Sequence, residues 1–94
     1  MASDPIALRV LTGAGVAIED HAVSIRAPGA LGSFGILRNH APLLSTLVPG
    51  PLIWRHADGT TQTVRLDGGI LEIVRNTCTI LTPKVTQATP APAH

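Results

Sequence analysis

Histidine, cysteine and carboxylate side chains are where chemistry would begin in this 94-residue sequence, and their spacing argues against most of it. His21, His40, His56 and His94 never fall at the i, i+2 or i, i+4 spacings that set two metal ligands side by side, so no metal site is expected. Asp20 precedes His21, but neighbours on a strand point to opposite faces, and the two read as a solvated turn pair. Cys78 lies in a β pattern with no basic neighbour to lower its thiol pKa, which makes it a small apolar filler. The GAG at Gly13 to Gly15 lacks the third glycine and following helix of a dinucleotide fingerprint, and no GxxxxGKS/T, HExxH or GxSxG pattern occurs. No catalytic residue and no cofactor are therefore expected. His40, in "SFGILRNHAPLLSTLVPG", stays open on residue type alone between a turn histidine bonded to local backbone and part of a surface read by another protein.

The elements that would position these residues are short and apolar. Hydrophobic residues make up 45% of the chain, with one Phe, one Trp and no Tyr, so the core must be built from Val, Ile, Leu and Ala. Aromatic stacking on sugars or single-stranded nucleic acid is nearly excluded. Seven basic and six acidic residues leave a formal charge of +1, too balanced and dispersed to predict a nucleic-acid surface or a polybasic membrane patch. One cysteine permits no intramolecular disulfide, and no stretch approaches the roughly 20 apolar residues needed to span a bilayer. A soluble cytoplasmic chain without membrane insertion is the expectation.

Gly, Pro, Asn and Asp punctuate the sequence about every ten residues, the rhythm of a β-sandwich or barrel. Ile6, Leu8 and Val10 alternate on one face, and Val23 and Ile25 repeat the scheme with Ser24 and Arg26 outward. "SFGIL", "LLSTLV", "LIWRHA", "TTQTVRL", "GILEIVR" and "TCTILT" read as further strands. Asp58-Gly59 predicts a hairpin, Asn76 a second turn, and Gly68-Gly69 a bulge or tight bend. Residues 1–83 form one domain in this reading. From Lys84 to His94 the sequence is Pro/Ala-rich and aperiodic, and a disordered carboxy-terminal tail is predicted.

Gly32, Gly35, Ile36, His40, Ala41, Pro42, Leu43 and Leu44 spell GxxGIxxxHAPLL, followed by Pro49-Gly50 and by GGILE at Gly68 to Glu72. In this order, across Ile6 to Pro83, they resemble the epsilon subunit of F-type ATP synthases. The resemblance implies an all-β fold, a flattened β-sandwich of about ten short strands, with no active site of its own. It further implies a central-stalk rotor component that binds the gamma subunit and the c-ring, acts only indirectly on the alpha/beta catalytic head, and lies peripherally on the cytoplasmic face of the bacterial inner membrane. By the same resemblance Thr12, His40 and Ser45 match gamma-facing positions. The loop of Leu31, Gly32, Ser33, Phe34 and Gly35 matches the part nearest the c-ring.

Two departures qualify these expectations. Where the family often has EGELG this chain has LGSFG, so Leu31 and Ser33 replace two glutamates and the resemblance carries no ion pair from this loop to the ring. Most relatives also continue into two carboxy-terminal helices that restrain ATP hydrolysis. The alternative class is a small β-sandwich ligand-binding protein unrelated to ATP synthase, supported only by the histidines and the cysteine.

Overall fold

Alternation at period two produces strands here because only one face of each finds a core. A computed structural model describes residues 4–87. Strand β1 (Ile6–Thr12) buries Ile6, Leu8 and Val10 completely, as their spacing predicts. It is followed by β2 (Gly15–Ala22), β3 (Ser24–Gly29), β4 (Gly32–Leu37), β5 (Leu43–Arg55), β6 (Thr61–Val74), β7 (Thr77–Leu81) and β8 (Val85–Gln87), with no helix among the described residues. Hydrogen bonds link them in the order β2-β1-β7-β6-β5-β3-β4, with β8 also on β6. Every pair is antiparallel except β1 with β7.

A sheet with one apolar face must fold over on itself to hide that face. Strands β5 and β6, of 13 and 14 residues, make this turn together. Along β5 the buried positions Leu47, Gly50, Leu52 and Trp54 slip by one residue at Val48-Pro49, and along β6 Val64, Leu66, Gly68, Leu71 and Ile73 slip at Gly69. The pairing between the strands keeps step through the corner, from Leu47↔Gly69 to Pro49↔Asp67 and Gly50↔Leu66. One layer thus holds β2, β1, β7 and the adjoining halves of β5 and β6; the other holds β3, β4, β8 and the remaining halves. Ile6, Leu8, Ile25, Ile36, Leu52, Leu66, Leu71, Ile73 and Ile80 from both layers share a single buried cluster with Trp54 and Cys78.

The predicted turns are present. Gly59 takes φ 92° in the β5–β6 hairpin, where Asp58 Oδ1 accepts from both the backbone N–H and the hydroxyl of Thr60. Arg75 and Asn76 both take positive φ between β6 and β7, the conformation of a type I′ turn. Gly68-Gly69 is the sheet corner and a tight bend, since the β5–β6 register gains no residue there.

Four expectations are corrected. There are eight strands among the described residues where about ten were expected, because β5 and β6 run unbroken through their corners. Val23 is only half-buried, since the chain bends between β2 and β3 at that residue. Asp20 and His21 lie within β2, where Asp20 pairs with Leu8 and His21 with Ala7, and form no turn. The tail does not begin at Lys84: the Lys84 carbonyl accepts from Asp67 N–H, and Val85–Gln87 pairs with Val64 to Leu66. The segment is held by ladder hydrogen bonds and by Val85 packed against the core, an anchorage that needs no apolar periodicity. Residues 88–94 of the predicted tail lie outside the described residues.

Candidate protein-contact surface

His40 follows Asn39, which holds φ 63° in the turn that opens the β4–β5 connection. That turn is pinned from across the fold: Asn39 N–H donates to Asn76 Oδ1 at 2.6 Å, and Asn76 Nδ2 donates to Asn39 Oδ1 at 3.2 Å. Two left-handed asparagines from different turns thereby fix one another. The His40 N–H bonds the Leu37 carbonyl at 3.2 Å, and its ring Nδ1 lies 2.7 Å from the Ala41 carbonyl oxygen. A carbonyl only accepts, so Nδ1 carries the hydrogen and the Nε2 edge is left for other contacts. His40 is thus bonded to local backbone and also forms part of an open surface.

An open groove of about 680 Å³ joins His40, Ser45 and Thr46 to the whole of Leu31 to Gly35. The β3–β4 hairpin forms its far wall, with Leu31 fully exposed at the tip and Phe34 packed against the core. The structure therefore brings His40, Ser45 and the Leu31–Gly35 loop to one concavity. Thr12 is not among them: it ends β1, accepts the Ala14 N–H at 3.1 Å, and lines a second concavity with Leu11, Ile70 and Leu81.

What connects the two concavities was not visible from sequence. Thr46 on β5 stands opposite Ile70 on β6, Ile70 opposite Leu81 on β7, Leu81 beside Leu11 on β1, and Leu11 opposite Val16 on β2. This row crosses five strands on the outside of one layer. Ile70 and Leu81 keep 48% and 53% of their surface exposed, and Leu44 beside the row keeps 72%. Isolated surface leucines are ordinary, but a contiguous apolar row marks a contact site. The sequence places an apolar stripe along "APLLSTL"; in the structure Leu47 is buried and Leu43 packs on the core, so the exposed stripe runs across the strands. Only strand pairing could have revealed it.

The chemically busiest cluster lies elsewhere. Asp20 Oδ2 accepts from Trp54 Nε1 at 2.8 Å and contacts His56 Nε2 at 2.6 Å, and Asp20 Oδ1 accepts from the His21 N–H at 2.8 Å. The partner of Asp20 is His56, 36 residues away, and not the adjacent His21. His56 Nδ1 stands 3.1 Å from Thr60 Oγ1, so Thr60, His56 and Asp20 have the residue types of a nucleophile relay. Thr60 Oγ1, however, donates its hydrogen to Asp58 at 2.7 Å. The cluster reads as a brace between the β5–β6 hairpin and β2. No group of three His, Cys, Asp or Glu side chains suited to a metal occurs among the described residues.

Burial raises the Asp20 pKa, but the hydrogen bonds from His56, Trp54 and the His21 amide outweigh it, and the carboxyl titrates below its ordinary 3.8. A depressed folded-state pKa gives stability that is fully present above the ordinary value and is lost as pH falls from there through the lowered folded-state value. Asp20→Asn is expected to lower stability at neutral pH by about 1 kcal/mol, a figure kept small because a third of the side chain is exposed. The gap to the parent should close in thermal melts below about pH 4. A gap that stays constant into acid would show that the charge contributes nothing.

Cys78 is fully buried, and burial pushes its thiol pKa up to about 12. A disulfide reagent at neutral pH is expected to leave it unmodified in the folded protein and to label it once urea unfolds the chain. Rapid labelling under native conditions would contradict its role as core filler.

Comparison with known proteins agrees with this architecture. Residues 5–88 match the family described as ATP synthase, Delta/Epsilon chain, beta-sandwich domain. The chain is 39% identical over 84 residues to the ATP synthase epsilon chain of Acidithiobacillus ferridurans, covering 89% of this sequence and 59% of that one. Against the epsilon chain of Carboxydothermus hydrogenoformans it is 38% identical over 79 residues, covering 84% and 58%. It therefore spans somewhat over half the length of these relatives. A chain in the Euglena gracilis mitochondrial ATP synthase OSCP/F1/c-ring assembly superposes with a TM-score of 0.83 at 18% identity, over 93% of this chain and 55% of that one, a likeness of fold. The eight-stranded architecture and the match across nearly all described residues place this chain in the ATP synthase delta/epsilon chain β-sandwich family.

Proposed function

We propose that this chain is a non-catalytic rotor subunit of an F-type ATP synthase, gripping the gamma subunit and resting on the c-ring so that ion-driven rotation reaches the catalytic head. The observation that carries this reading is the outward row of Ile70, Leu81, Leu11 and Val16, in which Leu11 is half-buried and the other three are exposed. It runs between the concavity at Thr12 and the groove at His40 and Ser45, giving gamma one continuous apolar bed with polar edges, the anatomy of a stable interface. Leu31 to Gly35 project from the groove wall as the ring-facing contact. Because Leu31 stands at the tip in place of an acid, that contact is apolar and weakly dependent on salt. Family membership supports association with a membrane-bound complex, and we place the chain peripherally on the cytoplasmic face of the bacterial inner membrane.

The test is retention by immobilised cognate gamma subunit with both gamma termini intact. Saturable binding at micromolar concentration is expected, and His40→Ala should weaken it while leaving the melting temperature nearly unchanged. Equal losses in both assays would return His40 to a purely structural part, and no retention of the parent chain would overturn the assignment.

A further inference from the structure

The outer face of the other layer carries a different chemistry. On the outward phase of β3, β4 and the adjoining halves of β5 and β6 lie Arg26, Arg55 and Arg65, and the one carboxylate there, Asp67, stands two residues beyond Arg65 and near Lys84. All three arginines centre on Ile53. Arg26 stands directly opposite it on β3, Arg55 is two residues along the same strand, and Arg65 occupies the diagonal position on β6. Diagonal neighbours on a sheet lie about 7–8 Å apart, close enough for like charges to repel. Yet none of the three joins an ion pair among the described residues. Three of the seven basic residues, scattered in sequence, are thus gathered on one face, and Asp67 lies on the Arg65 side, leaving Arg26 and Arg55 without a facing carboxylate.

This face also has a shaped recess. A groove runs between Arg26 and Arg55 over Leu37 and Ile53, opened on the β4 side by the missing side chain of Gly35. Arg26 is held in place there: its Nη1 lies 3.2 Å from Ser33 Oγ as the side chain crosses Gly35, leaving its other N–H groups free to turn towards a ligand. Leu37 is 65% exposed beside it. An apolar floor between two arginine forks suits a group that brings carboxylates together with an apolar side chain.

We propose that this face docks an acidic, apolar segment of a partner protein, with its carboxylates on Arg26 and Arg55 and an apolar side chain over Ile53 and Leu37. Charge complementarity selects the occupant, because the two groove arginines face no carboxylate and flank an apolar floor at Leu37 and Ile53 that a small anion would leave uncovered. The groove adjoins the proposed ring-facing loop at Ser33 and Gly35 but shares no residue with the apolar row proposed for gamma, so loss of gamma retention and loss of peptide binding are read at different residues.

Trp54, the only tryptophan of the chain, lines the same groove and reports on it. The full-length chain is titrated with a blocked heptapeptide alternating Glu and Leu, following Trp54 fluorescence and backbone amide shifts. Saturable binding with shifts centred on Leu37, Ile53 and Arg55 is expected, weakening about tenfold or more between low and physiological salt. Arg26→Gln with Arg55→Gln should weaken it about tenfold or more at an unchanged melting temperature. Leu37→Asp, which puts a carboxylate into the groove, should abolish it. The Lys-Leu counterpart should not bind. Equal binding of both peptides, indifference to the arginine substitutions, or preferential binding of pyrophosphate or phosphatidylglycerol vesicles would overturn the proposal.

Discussion

Gly69→Ala is expected to destabilise the protein by about 3 kcal/mol or more, a large fraction of the stability of a domain this size. Gly69 holds φ 131°, a conformation that side-chain-bearing residues rarely adopt. A Cβ added there would also fall inside the van der Waals shell of the Leu81 carbonyl oxygen. The neighbour is backbone of a paired strand, so it cannot swing aside as a long side chain would. Because β5 and β6 turn together at this point, the clash falls on the hinge that closes one layer over the other. Urea unfolding measures the loss. Gly68→Ala is the comparison: φ there is 86°, but the nearest atom to an added Cβ is at 3.4 Å, and a loss of about 1–2 kcal/mol is expected from the backbone alone. Similar effects at both sites would mean that crowding against Leu81 is not what makes Gly69 necessary.

The second large effect concerns association. Ile70→Asp with Leu81→Asp places two charges side by side in the middle of the apolar row, since the two residues are cross-strand partners. Residues at an interface centre cost about 2 kcal/mol or more when lost, a factor of about 30 in affinity. Retention on gamma should therefore fall at least about 30-fold. Both side chains are half-exposed, so the monomer should lose only about 1 kcal/mol for the pair, most of it from like charges set opposite each other. Undiminished retention would show that gamma does not use this row.

What could be read from sequence follows the range of the interactions. Ile6, Leu8 and Val10 announce a strand because burial on one side imposes alternation, and Asp58-Gly59 and Asn76 announce turns because positive φ selects residue types. Strand β2 gave no such signal. It presents Glu19, Asp20 and His21 in succession, buries Ala22 fully and packs Ile18 partly on the core, so its place is set mainly by pairing with β1. The short β8 sets one apolar residue, Val85, against the core and is otherwise held by pairing with β6. Sites built across strands were hidden altogether. Asp20 meets His56, and Ile53 gathers its three arginines, only after the register is fixed. The resemblance suggested Thr12, His40 and Ser45 one by one, whereas the apolar row running between them depends on five strands lying in order.

The parallel pairing of β1 with β7 has a consequence for how the chain is made. Ala7 aligns with Thr77, and Leu11 with Leu81. During synthesis the first strand can form a hairpin with β2 as soon as both leave the ribosome, but its other edge stays open until almost the whole domain has been translated. Distant pairings of this kind are closed late and slow the search for the native state. An unsatisfied, strongly apolar edge at the amino terminus meanwhile invites pairing with other nascent chains. Early docking of a chaperone on Ile6 to Val10 would protect the interval, and the same dependence makes β7 the strand whose arrival commits the molecule to its fold.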